Sequence, residues 1–165
     1  MEKLYEAGLA KNIGVSNCSA MLFIDICAGA KVKPAVNQIE CNPYFSQTQL
    51  IEFLRKFGCE TTAYAPIGAA TFSGNNVLDD ETLNQIAEKH GATPAQIALA
   101  WNIHRGVSVI PKSTQDERMK KNFESLDIKL DEEDIERINK LNRNSRHFDP
   151  GQWNEYGWKY SPIFA

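Results

Sequence analysis

No stretch of this chain comes near the roughly 18 consecutive apolar residues of a membrane-spanning helix. Its opening, Met1-Glu2-Lys3, runs into an amphipathic pattern rather than the apolar core of a signal peptide. A basic excess is missing as well: 18 Lys and Arg face 21 Asp and Glu, for a net charge of −3, whereas a nucleic-acid binder would show a basic stripe. Cysteine and histidine are few and scattered. Cys18, Cys27, Cys41 and Cys59 form no C-x-x-C pair, and His90, His104 and His147 do not partner them, which argues against both a metal centre and a disulfide framework. No low-complexity or linker-like segment divides the chain, so a single domain over 1–165 is the simplest organisation. These absences predict a soluble, cytoplasmic chain with neither membrane nor nucleic acid among its partners.

What is present is one pattern, repeated. Asn12-Ile13-Gly14-Val15 ends in Ser16-Asn17, Ala35-Val36-Asn37-Gln38-Ile39 ends in Glu40-Cys41-Asn42, and Thr61-Thr62-Ala63-Tyr64 ends in Ala65-Pro66-Ile67-Gly68. Ser108-Val109-Ile110 stops at Pro111 and delivers Lys112, Ser113 and Thr114 before a helix. Four strands, each followed by a helical pattern and with no hairpin signal between them, predict an α/β protein with a parallel sheet. Sites in such folds gather at the carboxyl ends of the strands, where these polar residues fall. The last junction is the most specific. A helix start presents free N–H groups and partial positive charge, Lys112 adds a full charge, and Arg118 lies about one turn further on, so the junction suits a phosphate. The plainer alternative is that Ser113 or Thr114 caps the helix, with Asp116 or Glu117 closing a capping box and the cations merely solvated.

Helix boundaries follow from local chemistry. Helical segments are expected at about 1–8 and 19–29. Ser46-Gln47-Thr48-Gln49 reads as a capping box, with Gly58 as the stop. Thr93-Pro94-Ala95-Gln96 carries a cap, a first-turn proline and a reciprocal Gln, and Asp131-Glu132-Glu133-Asp134 opens a last helix that ends in Arg137, Lys140 and Arg143. His90 and His104 fit helix C-termini, and none of the histidines suits a general acid. Cys27 and Cys59 read as core residues, while Cys18 and Cys41, just past strand ends, are open to being modifiable thiols.

Gly14-Val15-Ser16-Asn17, Val36-Asn37-Gln38-Ile39-Glu40, Ala63-Tyr64-Ala65-Pro66-Ile67-Gly68 and Val109-Ile110-Pro111-Lys112-Ser113 resemble, in order and spacing, the successive strand ends of an aldo-keto reductase. The resemblance implies the C-terminal half of a (β/α)8 TIM barrel: four parallel β/α units plus a C-terminal helix and a tail from about 142. At 165 residues the chain cannot close a whole barrel, which needs about 200–250. By the same resemblance the cofactor is NADP(H). Ser16, Asn17 and Gln38 would bond the nicotinamide carboxamide, Tyr64 would stack on the ring, Lys112, Ser113 and Arg118 would take the adenosine 2′-phosphate, and Asn122 the adenine. Ala65, Ile67 and Thr114 complete the implied cofactor set. Ala65 stands where many relatives have Ser, at a cost of about 0.5–1.5 kcal/mol for one neutral hydrogen bond, and Lys121 stands where many have Glu. The long loop 67–79, with Phe72, Ser73, Gly74, Asn75 and Asn76, would fold over the pyrophosphate. The tail would line the substrate pocket with Phe148, Trp153 and Trp158.

Two of these assignments have plain alternatives in the residues themselves. Tyr64 can be core, and the tail aromatics can simply cover the rim. Gln38 is harder to place in a core, because a buried amide without partners costs a few kcal/mol.

The family's catalytic Asp, Tyr, Lys and His match nothing here. The resemblance therefore implies the cofactor half of an enzyme reducing carbonyl substrates, inactive unless complemented. The alternative is a non-catalytic nucleotide-binding or interaction protein. A start at Met1 inside a region between family helices suggests a truncated gene product. An open half barrel would expose two sheet edges and an apolar inner face, so self-association or pairing with an N-terminal half barrel is expected.

Overall fold

Four short strands, β1 (Gly14–Ser16), β2 (Val36–Glu40), β3 (Glu60–Tyr64) and β4 (Ser108–Val109), lie side by side in chain order and all in parallel. The protein is seen in a computed structural model that describes residues 1–69 and 76–149. Parallel neighbours cannot be joined by a hairpin, so each connection crosses over through helix. Helix α1 (Glu2–Glu6) precedes β1, α2 (Ala20–Gly29) follows it, and α3 (Thr48–Lys56) follows β2. Among the described residues, α4 (Glu81–His90) and α5 (Pro94–His104) lie between β3 and β4, and α6 (Asp116–Glu124) and α7 (Glu132–Asn139) come after β4. The expected parallel β/α architecture is the one observed.

Side chains alternate across the strands, and most of the apolar positions turn toward the helices. Ile39 and Ala63 pack with Cys41, Ile51 and Val107, and Val109 closes against them. Phe23, Leu54, Cys18 and Cys59 form a second cluster beneath α2 and α3. The third gathers Leu83, Ile86, Ile97, Trp101 and Ile138 around α5. Every residue of α5 from Gln96 to Asn102 is buried, because other elements enclose it on nearly all sides. Trp101 donates its indole N–H to Asn139 Oδ1 at 2.9 Å, and the Arg105 guanidinium lies 3.7 Å above its ring.

The opposite face of the sheet corrects an expectation. Register aligns Ser16 with Gln38, Gln38 with Thr62 and Thr62 with Ser108, one polar row across all four strands. The inner face is therefore largely polar, with Val36 and Ile110 as apolar exceptions, since the apolar half of the alternation is taken up by helix packing.

Local helix signals succeed where nothing distant competes. Thr93 and Gln96 form both arms of the expected capping box, and Asp131 pairs likewise with Asp134. Gly58, at φ +69°, ends the α3 turn as expected. The box expected at Ser46 does not form. The Ser46 N–H goes to Asn142 Oδ1 (3.0 Å) and its carbonyl accepts from Arg105 (3.1 Å), so α3 starts one residue later behind a left-handed Gln47. Neither Ser113 nor Thr114 caps α6; Gln115 holds the N-cap position without a side-chain bond.

The thiol expectation for Cys18 and Cys41 is also corrected. Both are buried, and burial raises both above the ordinary thiol value, Cys41 to about 11 although Arg105 pulls it down. Among the described residues no helix is long and apolar enough to cross a membrane.

Candidate functional site

The carboxyl ends of β1, β2 and β3 bring Ser16, Asn17, Gln38 and Tyr64 together. The Ser16 hydroxyl and the Asn17 N–H both donate to the Gln38 carbonyl, at 2.8 and 2.9 Å. Asn17 turns off the strand at φ +56°, a left-handed conformation that Asn tolerates better than most residues. That turn lets its Oδ1 accept the Tyr64 hydroxyl at 3.1 Å. Beneath them, fully buried Asn37 accepts the Cys18 N–H and donates to the Cys18 carbonyl, at 3.3 and 2.9 Å. The side-chain amide of Gln38, by contrast, makes no hydrogen bond among the described residues. The residue is half-buried.

Tyr64 holds its proton firmly. Burial raises its pKa, the Glu40 carboxylate adds to that, and Arg146 and Asn17 only partly oppose them. After Tyr64 the chain reverses through Ala65 at φ +46°, with the Gly68 N–H returning to the Ala65 carbonyl at 2.9 Å. A positive φ at a non-glycine residue is mildly strained and is typical of site loops.

Three residues beyond Tyr64, Ile67 forms one wall of a cleft of about 400 Å³. Lys112, Ser113, Thr114, Arg118 and Asn122 line the same cleft. Lys112 and Arg118 make no ion pair or side-chain hydrogen bond among the described residues. Ser113 is engaged locally, its oxygen accepting the Gln115 N–H at 3.2 Å. Lys121 also lines the cleft, three residues after Arg118 on one helix face. Among the described residues the lining holds three cations and no carboxylate. Asn76, from the long loop, accepts the Leu78 N–H at 3.2 Å, and Leu78 reaches the cleft wall.

The sequence-predicted residues lie along the strand ends in two groups: a hydrogen-bonded corner at Gln38 and Tyr64, and a cationic cleft at Lys112 and Arg118. Phe148 stands at the first of these, its ring edge-on to Tyr64 with centroids 5.8 Å apart. Trp153, Trp158, Phe72, Ser73, Gly74 and Asn75 lie outside the described residues. Sequence reasoning missed Glu40, fully buried at the end of β2, and the cleft role of Lys121. The signals were there: a carboxylate between Ile39 and Cys41 must find partners, and the i, i+3 spacing places Lys121 beside Arg118.

Residues 1–143 match the Aldo/keto reductase family. The chain is 43% identical to an NAD(P)H-dependent D-xylose reductase of Aspergillus niger, over 99% of this chain and 53% of that protein. It is 42% identical to aldose reductase B of Dictyostelium discoideum, over 93% and 48% respectively. The solved structure of an aldose reductase from Giardia lamblia superimposes with a TM-score of 0.89 at 38% identity, covering all of this chain and 54% of that one. The chain spans about half the length of the relatives it matches.

Proposed function

Because the chain belongs to the aldo/keto reductase family, we propose that it is the nucleotide-holding part of an NADP(H)-dependent carbonyl reductase. The observation that carries this reading is the cleft lined by Lys112, Arg118 and Lys121, with no acid among the described residues of its walls. Three cations on one cleft favour a dianionic 2′-phosphate over a ribose hydroxyl, and a guanidinium can grip that phosphate with two bonds. Ser113 and Thr114 add hydroxyls, Asn122 supplies an amide for adenine, and Ala65 and Ile67 give the backbone and apolar wall between the two ends. The unpaired Gln38 amide suits a carboxamide, with Ser16 and Asn17 beside it and Tyr64 as the platform for the ring. NADPH supplies a hydride to an aldehyde or ketone. The residues of this chain orient the donor ring, and the proton donor of the family has no counterpart among them.

Titration with NADPH and NADH, followed by an aldehyde-reduction assay, tests this. NADPH should bind at least about tenfold tighter than NADH, with no turnover by the chain alone. Equal affinity for the two nucleotides sinks the reading. A second copy of the chain is the proposed partner. β1 and β4 are both edges, and beside β4 lies a groove of about 310 Å³ lined by Met119, Phe123 and Leu126. Two such sheets joined at their edges restore eight strands. A stable monomer in light scattering rules this out.

A further inference from the structure

Glu40 is the last residue of β2, is fully buried, and is paired in register with Tyr64 on the adjacent strand. Burying a carboxylate is costly unless its oxygens are met by donors. Here two main-chain donors meet it. Oε1 accepts the His147 N–H at 2.7 Å and Oε2 accepts the Phe148 N–H at 3.0 Å, so one carboxylate takes two consecutive main-chain amides more than a hundred residues away. The Asn42 side-chain amide adds a long contact to Oε1 at 3.5 Å. The His147 imidazole is buried beside the pair but stands off, with Nδ1 3.6 Å from Oε1, and neither ring nitrogen has a hydrogen-bond partner among the described residues. The backbone at 147 and 148 is therefore what Glu40 holds. Gly68 lies close to the same imidazole: at φ +75°, a Cβ there would come within 2.6 Å of Val77 Cγ2 and 3.1 Å of His147 Cε1.

We propose that Glu40 is a positioning residue, whose carboxylate clamps the backbone of His147 and Phe148 and thereby sets the Phe148 ring against Tyr64, tuning the ring end of the cofactor site and leaving the phosphate end alone. The inference rests on Tyr64 being the nicotinamide platform. The chain of contact is short. The clamp fixes the Phe148 Cα, and the Phe148 ring meets Tyr64 edge-on at an interplanar angle of 76°. An edge-to-face neighbour restrains the tilt of the phenol ring. The adenosine cleft shares no residue with the clamp.

Glu40→Gln tests it, because the amide side chain keeps the shape, retains one acceptor and turns a donor toward the second amide. Native-state hydrogen exchange on the whole chain should show the 147 and 148 amides exchanging about ten- to a hundredfold faster, with α5 amides as internal reference. NADPH should bind about three- to tenfold more weakly, while adenosine 2′,5′-bisphosphate binds unchanged. A purely structural role would weaken both nucleotides alike and would overturn the proposal. Unchanged exchange at 147 and 148 overturns it whatever the nucleotides do. Phe148→Leu provides the second arm, since it leaves the clamp intact: it should reproduce the NADPH loss while the two amides stay protected, and normal NADPH affinity in this variant counts against the mechanism. If the parent chain binds neither nucleotide, the cofactor assignment fails, and the exchange measurement still decides the clamp.

Discussion

The two ends of the rim are held by different physics. At the ring end, Asn37, Glu40 and Tyr64 are tied by hydrogen bonds beneath or within the sheet, and Asn17 and Ala65 are fixed in left-handed turns. At the end proposed for the phosphate, Lys112 and Arg118 are exposed and make no ion pair among the described residues, on a junction whose helix cap has no side-chain bond. A planar ring needs a preformed surface, since its interactions are short-ranged and depend on orientation. A phosphate is attracted over a longer range, so flexible cations can close on it after arrival. On the proposed assignment, pre-organisation is concentrated where geometry decides, and charge where distance does.

Substitutions that break this division should sort accordingly. The largest effect is expected at Gly14, whose added Cβ would meet Val36 Cγ1 at 2.3 Å and the Val36 carbonyl oxygen at 2.7 Å. Gly14→Ala must push β1 off β2, lowering unfolding free energy by about 2–3 kcal/mol in urea denaturation and scattering Ser16 and Asn17. At the other end Arg118→Met should leave the urea midpoint within error, because surface changes are worth about ±0.5 kcal/mol. It should nonetheless weaken NADPH by about 1.5–3 kcal/mol and flatten the salt dependence of binding. A fall in stability there would erase the contrast between the two ends.

The smallest effect lies away from both ends and serves as their reference. Lys89 bonds Asp131 at 2.6 Å and Asp134 at 2.8 Å, joining α4 to α7. The Lys89 bond holds Asp131 down at about 2, below its ordinary 3.8. Burial pushes Asp134 up, yet Lys89, His90 and the Asp131 N–H outweigh it and leave that carboxyl lowered. Because the folded values lie below the unfolded ones, this contribution is present above about pH 3.8 and is lost as pH falls through about 2. Acid unfolding of Lys89→Met should lack that part of the curve, while its NADPH affinity at neutral pH stays that of the parent.

Elements defined by neighbours in sequence were readable in advance. The strand ends, the Thr93–Gln96 and Asp131–Asp134 boxes and the Gly58 stop each need only a few adjacent residues. The cap at Ser46 was misread because Asn142 and Arg105, far along the chain, take its backbone groups. Glu40 was passed over for the same reason, since its partners are amides of residues 147 and 148. Lys121 looked like a departure from pattern and proved to be a third cation on the cleft wall.

Sequence alone was sufficient for the order of strands and helices, for the family likeness and for the list of polar residues along the rim, because strand alternation, capping and turn chemistry are local and periodic. Tertiary structure decided which of those residues meet. It put a polar row on the inner face, closed Cys18 and Cys41 to solvent, left the Gln38 amide without a hydrogen bond among the described residues and gave Glu40 two distant amides to hold. Such outcomes depend on which segments compete for each buried donor and acceptor, and that competition exists only once the chain is folded.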